Sequence, residues 1–106
     1  MVPEVTPRDL AVELEGEAPP RIVDVREVHE FDYCRLPSAE LMPLGQIRSW
    51  AAELDPETDL VLMCHSGFRS GQAVMFLRSQ GFTRVRNLRG GIDAWSVQVD
   101  PSVPRY

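Results

Sequence analysis

At 106 residues, with 43% hydrophobic and 25% charged residues, the chain has the size and make-up of one globular domain, 1–106, and falls outside the disordered and fibrous classes. No run approaches the roughly 20 apolar residues of a bilayer span. Residues 1–6 show neither a basic start nor an apolar stretch before a cleavage site, so a cytoplasmic location without membrane contact is expected.

The net charge of −5 is unevenly placed: residues 1–59 carry fourteen acids against five arginines, and residues 60–106 carry two acids against six arginines. The resulting balance of −9 and +4 predicts a local field in the second half that favours a small anionic substrate. Nucleic acid is a poor fit, because the whole chain is acidic and its basic half lacks interleaved aromatics. All eleven basic residues are arginine, which excludes Schiff-base chemistry and a P-loop lysine.

In chain order, Thr6-Pro7-Arg8-Asp9 combines a capping residue, a proline at the first helical position and an acid in the first turn, and predicts a short helix over 6–14. Gly16 to Pro20 breaks it. The β-branched run at 21–25 reads as a buried strand, and 27–33 holds two helical turns. Residues 36–44, with Pro37 and Pro43, are expected to be extended with little regular structure. Ile47, Trp50, Ala51 and Leu54 recur at helical spacing and predict a helix over 45–54.

Leu60-Val61-Leu62-Met63 is an apolar run of strand length that delivers Cys64 at its carboxyl end. A helical period resumes at Ser70 and is capped at Gly81. Val85-Arg86-Asn87-Leu88 is a further short strand, and Gly90-Gly91 turns the chain into a short segment with Ile92 and Trp95. Strands alternating with helices predict an α/β fold in three layers, a mainly parallel central sheet with helices on both faces. Active sites in such sheets lie beyond the carboxyl ends of the strands.

Cys64-His65-Ser66-Gly67-Phe68-Arg69-Ser70 occupies that position. Six residues joining a strand to a helix force a tight turn, with Gly67 free to take positive φ. Such a turn aims successive backbone N–H groups and the positive end of the helix at one point. The loop is therefore suited to a thiolate, a persulfide or a bound oxyanion. Arg69 is expected to stabilise the anion, and Ser66 and Ser70 to offer hydroxyl donors. His65 reads either as added positive charge or as a solvated side chain.

Two cysteines are too few for a disulfide framework. Cys64 reads as a free reactive thiol; Cys34 reads as a structural cysteine, with a resolving thiol as the alternative. A metal site drawn from His29, Cys34, Cys64 and His65 lacks paired-ligand spacing and would occupy the nucleophile.

Several stretches beyond the loop resemble the rhodanese homology domain. Ile22-Val23-Asp24-Val25-Arg26-Glu27 with Glu30-Phe31 is similar to the family's early strand. Pro37, Ala39 and Met42-Pro43-Leu44 resemble its middle block, and Gly81-Phe82, Val85, Asn87-Leu88, Gly90-Gly91-Ile92 and Ala94-Trp95 its closing block. Cys34-Arg35-Leu36-Pro37-Ser38 departs from the more usual Gly-His-Ile-Pro-Gly.

The resemblance implies a sulfurtransferase in which Cys64 takes sulfane sulfur from thiosulfate or a persulfide and yields it to cyanide, a thiol or a sulfur-carrier protein, without metal or organic cofactor. It assigns His65, Ser66, Gly67, Phe68 and Ser70 to the active-site loop, and Asp24 and Arg26 to structural support. Four residues between Cys64 and Arg69 are the sulfurtransferase spacing; related phosphatases and arsenate reductases have five, and interaction modules on this fold often lack the cysteine. The tail at 99–106 is similar to rhodanese domains fused to enzymes that adenylate sulfur carriers, which implies a sulfur-carrier protein as acceptor; a cysteine desulfurase is a further candidate partner, as sulfur donor.

Overall fold

The computed structural model describes residues 1–106. Five strands form one wholly parallel sheet: β1 (Glu4–Val5), β2 (Arg21–Asp24), β3 (Ala39–Leu41), β4 (Leu60–Met63) and β5 (Val85–Leu88), in the order β1-β5-β4-β2-β3. Five helices connect them: α1 (Pro7–Leu14), α2 (Val28–Tyr33), α3 (Ile47–Ala51), α4 (Phe68–Ser79) and α5 (Gly91–Gln98).

The strand pleat sorts the core into two layers. Val23, Leu60, Leu62 and Val85 meet Trp50, Ala51, Ala73, Val74 and Leu77 of α3 and α4 on one face. Ile22, Val61, Met63 and Leu88 meet Leu10, Ile92 and Trp95 of α1 and α5 on the other. β4 is buried on both faces, which is why its run is apolar without alternation. Each such side chain contributes roughly 1.5–3 kcal/mol by burial. No helix is long and apolar enough to cross a membrane.

The helix start at Thr6 is as expected: its hydroxyl accepts from the Asp9 N–H at 3.1 Å, ahead of Pro7. Three local expectations need correction. The stretch 36–44 is not merely extended, because Ala39–Leu41 pairs with β2 as an edge strand, and Glu4–Val5 forms a second short edge on β5. The helix expected over 45–54 is a 3-10 turn at Leu44–Gln46 followed by the short α3. Its end winds tightly, with Glu53 N–H on the Trp50 carbonyl and Leu54 N–H on that of Ala51, both at 3.2 Å. Finally, α4 begins at Phe68 rather than Ser70, because Gly67 completes the turn at φ +104°.

The segment after α5 lies back on the α1–α5 side. Val103 is buried there, and the Ser96 hydroxyl donates to its carbonyl at 2.9 Å. This path carries Tyr106 back to the carboxyl end of the sheet, where its hydroxyl reaches Glu30.

Candidate active site

β4 ends at Met63 in the middle of the sheet, so Cys64 emerges at the carboxyl edge with strands on both sides. Two backbone bonds fix the turn from outside: Ile92 N–H donates to the Cys64 carbonyl at 2.9 Å and Asp93 N–H to the His65 carbonyl at 3.1 Å. The start of α5 is thus seated directly on the loop. Only glycine fits at position 91, where φ is +63° and any Cβ collides with the carbonyl oxygens of Cys64 and His65.

Cys64 is 1% exposed, and its sulfur sits in a ring of donors. Gly67 N–H lies 3.1 Å from Sγ, Ser70 N–H 3.4 Å and the Ser70 hydroxyl 3.3 Å. That hydroxyl has a single proton and also lies 2.5 Å from Asn87 Oδ1, so it is shared. Asn87 in turn donates from Nδ2 to the Gly67 carbonyl at 3.1 Å, bracing the turn from β5. Two backbone N–H groups and one switchable O–H point at one sulfur atom from the first turn of α4, an arrangement that stabilises negative charge.

Of the other loop residues, Ser66 and Phe68 face solvent, and Ser66 makes no hydrogen bond to the sulfur. Phe68 is 74% exposed. His65 is half-buried with its ring stacked on Tyr106, centroids 4.1 Å apart and planes 29° from parallel.

Arg69 closes the loop, but its guanidinium is turned to Glu30 of α2 in a bidentate pair of 2.7 and 3.0 Å. Glu30 also accepts from Glu27 N–H at 3.0 Å and from the Tyr106 hydroxyl at 2.7 Å. The bonds from Arg69, helped by those from Glu27 and Tyr106, outweigh burial and hold the Glu30 carboxyl well below the usual carboxylate range.

Tyr106 accepts from Arg26 Nη1 at 3.0 Å. Its phenol is pushed up to about 12 by burial, with Arg26 opposing and Glu30 adding to the rise, so it stays protonated and donates. Asp24 and Arg26 form a wholly buried ion pair at 2.7 Å, and Arg26 also donates to the Cys34 carbonyl at 2.6 Å. Cys34 is a free, buried thiol in the core on the α1–α5 side, whereas Cys64 belongs to the core on the other side.

The field predicted from the two halves of the chain does not survive folding. Arg69, Arg84, Arg86 and Arg89 all reach acids of the first half, namely Glu30, Asp59, Glu13 and Glu4, and Arg105 pairs with Asp93. Charge segregated along the sequence is largely cancelled in space.

The rhodanese-like domain model matches residues 6–98. The chain belongs to the rhodanese family. The rhodanese domain is 43% identical over 90 residues to the chloroplastic rhodanese-like/PpiC domain-containing protein 12 of Arabidopsis thaliana, covering 81% of this chain and 30% of that protein. It is 38% identical over 96 residues to a sulfurtransferase of Allochromatium vinosum, covering 91% and 90%. A probable adenylyltransferase/sulfurtransferase MoeZ of Mycobacterium tuberculosis is 34% identical over 104 residues, with 96% of this chain and 26% of that protein aligned. Several relatives are thus much longer than the domain. The crystal structure of a rhodanese-like domain protein from Staphylococcus aureus superposes with a TM-score of 0.85 at 27% identity, covering 99% of both chains.

Two side chains of the site carry no local signal of their role. Asn87 stands in the closing block of the family resemblance, but nothing in Val85-Arg86-Asn87-Leu88 marks it as the brace of the catalytic turn, where it is 3% exposed. The link from Tyr106 to Glu30 spans 76 positions, and no local pattern encodes it.

Proposed function

We propose that the chain acts as a single domain and transfers sulfur, with Cys64 as the nucleophile and carrier of a persulfide. The observation that supports this reading is the ring of donors around Sγ, two N–H groups and the Ser70 hydroxyl at 3.1 to 3.4 Å. In the first step the Cys64 thiolate attacks the outer sulfur of the donor. The Sγ–S bond forms while the donor's S–S bond breaks, and the leaving group departs with the bonding electron pair. In the second step a thiol or cyanide attacks the outer sulfur of the persulfide, the new bond forms as the Sγ–S bond breaks, and Cys64 leaves as the thiolate. With an adenylated carrier terminus the persulfide instead attacks the acyl carbon and expels AMP, and a further thiol that attacks Sγ then releases the carrier thiocarboxylate and is left in a disulfide with Cys64.

The same donors face the sulfur in both steps, so charge moving on and off it is stabilised without rearrangement. Each ~1.4 kcal/mol of such selective stabilisation is worth about tenfold in rate. The relative from A. vinosum, aligned over nearly its whole length, is named a sulfurtransferase, and MoeZ is named a probable adenylyltransferase/sulfurtransferase. A carrier protein is accordingly the acceptor class we favour, in a cytoplasmic setting.

Intact-mass measurement tests the proposal. Wild type incubated with thiosulfate or an organic hydropersulfide gains the mass of one sulfur atom and loses it on addition of cyanide, whereas Cys64→Ser gains none. Uptake by Cys64→Ser, or Cys64-dependent phosphate release from an aryl phosphate with no sulfur uptake, refutes it.

A further inference from the structure

Three arginines reach the loop or the groups that hold it, and each has its own carboxylate. Arg26 is paired with Asp24 at 2.7 Å, Arg69 with Glu30 at 2.7 Å and Arg105 with Asp93 at 2.8 Å. Arg69 is the one that lies in the loop itself, five residues after Cys64. Both of its terminal nitrogens are committed to Glu30. The Tyr106 hydroxyl, itself held by Arg26, donates to the same carboxylate and keeps Glu30 in place.

Candidate donors differ in the charge they bring. With thiosulfate, the Cys64 thiolate and the dianion meet as three negative charges. The Sγ–S bond forms, the S–S bond breaks and sulfite leaves as a dianion, so the count stays at three. With a hydropersulfide R–S–SH, the thiolate attacks the terminal sulfur and R–S⁻ leaves with the electron pair, so one negative charge is carried throughout. A single charge matches the donor ring around Sγ; the two further charges of thiosulfate call for a cation that the site has already neutralised.

We infer that Glu30, steadied by Tyr106, is the donor-specificity residue of this site and that it selects organic hydropersulfides over thiosulfate. The inference rests on Cys64 being the sulfur-accepting nucleophile. An organic group also has a place to lie: His29, Glu30, Tyr33 and Tyr106 line an open groove of about 410 Å³. One of its walls, the Tyr106 ring, stacks on His65 beside Cys64.

The test compares Cys64 loading from cysteine hydropersulfide and from thiosulfate, as kcat/KM, in wild type and in Glu30→Gln. Wild type prefers the hydropersulfide by at least about tenfold, and Glu30→Gln raises the thiosulfate-to-hydropersulfide ratio by about tenfold, mainly through a lower KM for thiosulfate. A folded Glu30→Gln variant with an unchanged ratio overturns the inference. Because Glu30 ties α2 to the loop, a measurement on wild type stands beside it. Loading from thiosulfate stays flat or rises between ~20 and ~200 mM salt, and a steep fall reveals a free cation and overturns the inference equally. Comparable loading of wild type from both donors removes the donor preference and leaves the nucleophile standing; loading from neither removes both.

Discussion

Two guanidinium–carboxylate pairs stand beside one another at the carboxyl end of the sheet, bridged by the Tyr106 hydroxyl, and they differ in burial. Arg26 and Asp24 are both 0% exposed, whereas the Arg69 and Glu30 side chains are 34% and 10% exposed. In the first pair neither charge can recover water, so each partner is indispensable to the other and the pair acts as scaffold. In the second, Arg69 closes the loop and is partly open to solvent, so loss of Glu30 leaves it hydrated rather than stranded. Identical chemistry serves as indispensable scaffold in one place and tolerates the loss of a partner in the other.

The strongest way to break that comparison is to remove one buried partner. Arg26→Met strands the Asp24 carboxylate and also strips donors from the Cys34 carbonyl and Tyr106, at a cost of about 3–5 kcal/mol read from denaturant unfolding. A cost no larger than that of Glu30→Gln erases the distinction.

Glu30→Gln costs about 1 kcal/mol at neutral pH, since the partly exposed Arg69 regains water. Its pH dependence carries a definite sign. Glu30 titrates lower in the folded than in the unfolded chain, so its contribution is fully present above the ordinary value of 4.5 and is lost as pH falls through the folded value. The stability gap between wild type and Glu30→Gln is therefore constant above about pH 5 and shrinks in acid. A gap that widens in acid contradicts the pairing.

Tyr106→Phe has the smallest effect, about 0.5 kcal/mol by thermal unfolding, because the residue is 45% exposed and the ring still stacks on His65. It cuts the hydroxyl link between the two pairs and so sharpens the comparison: the acid dependence assigned to Glu30 persists in this variant, moved toward the ordinary value.

What could be read from the sequence follows the range over which each feature is encoded. β2, β4 and β5 were legible because each is a short run most of whose residues are buried, and α1 because Thr6, Pro7 and Asp9 mark its start within four positions. β1 and β3 were not, since a strand of two or three residues at a sheet edge is defined by its partner. The loop itself was legible as one contiguous segment.

Side-chain direction was not legible. Arg69 turns to a carboxylate 39 positions away, and Ser66 faces solvent although Ser70 reaches the sulfur. Charge counts along the chain misled for the same reason: folding brings Glu4, Glu13, Glu30 and Asp59 to the arginines of the second half.

Of the two free thiols, Cys64 lies in the donor ring and Cys34 under Arg26, and the proposed persulfide belongs on Cys64. Peptide mapping after loading with cysteine hydropersulfide and alkylation under non-reducing conditions tests it directly. The added sulfur is expected on the peptide containing Cys64 alone; added sulfur on the Cys34 peptide, or on neither, rules out Cys64 as the carrier.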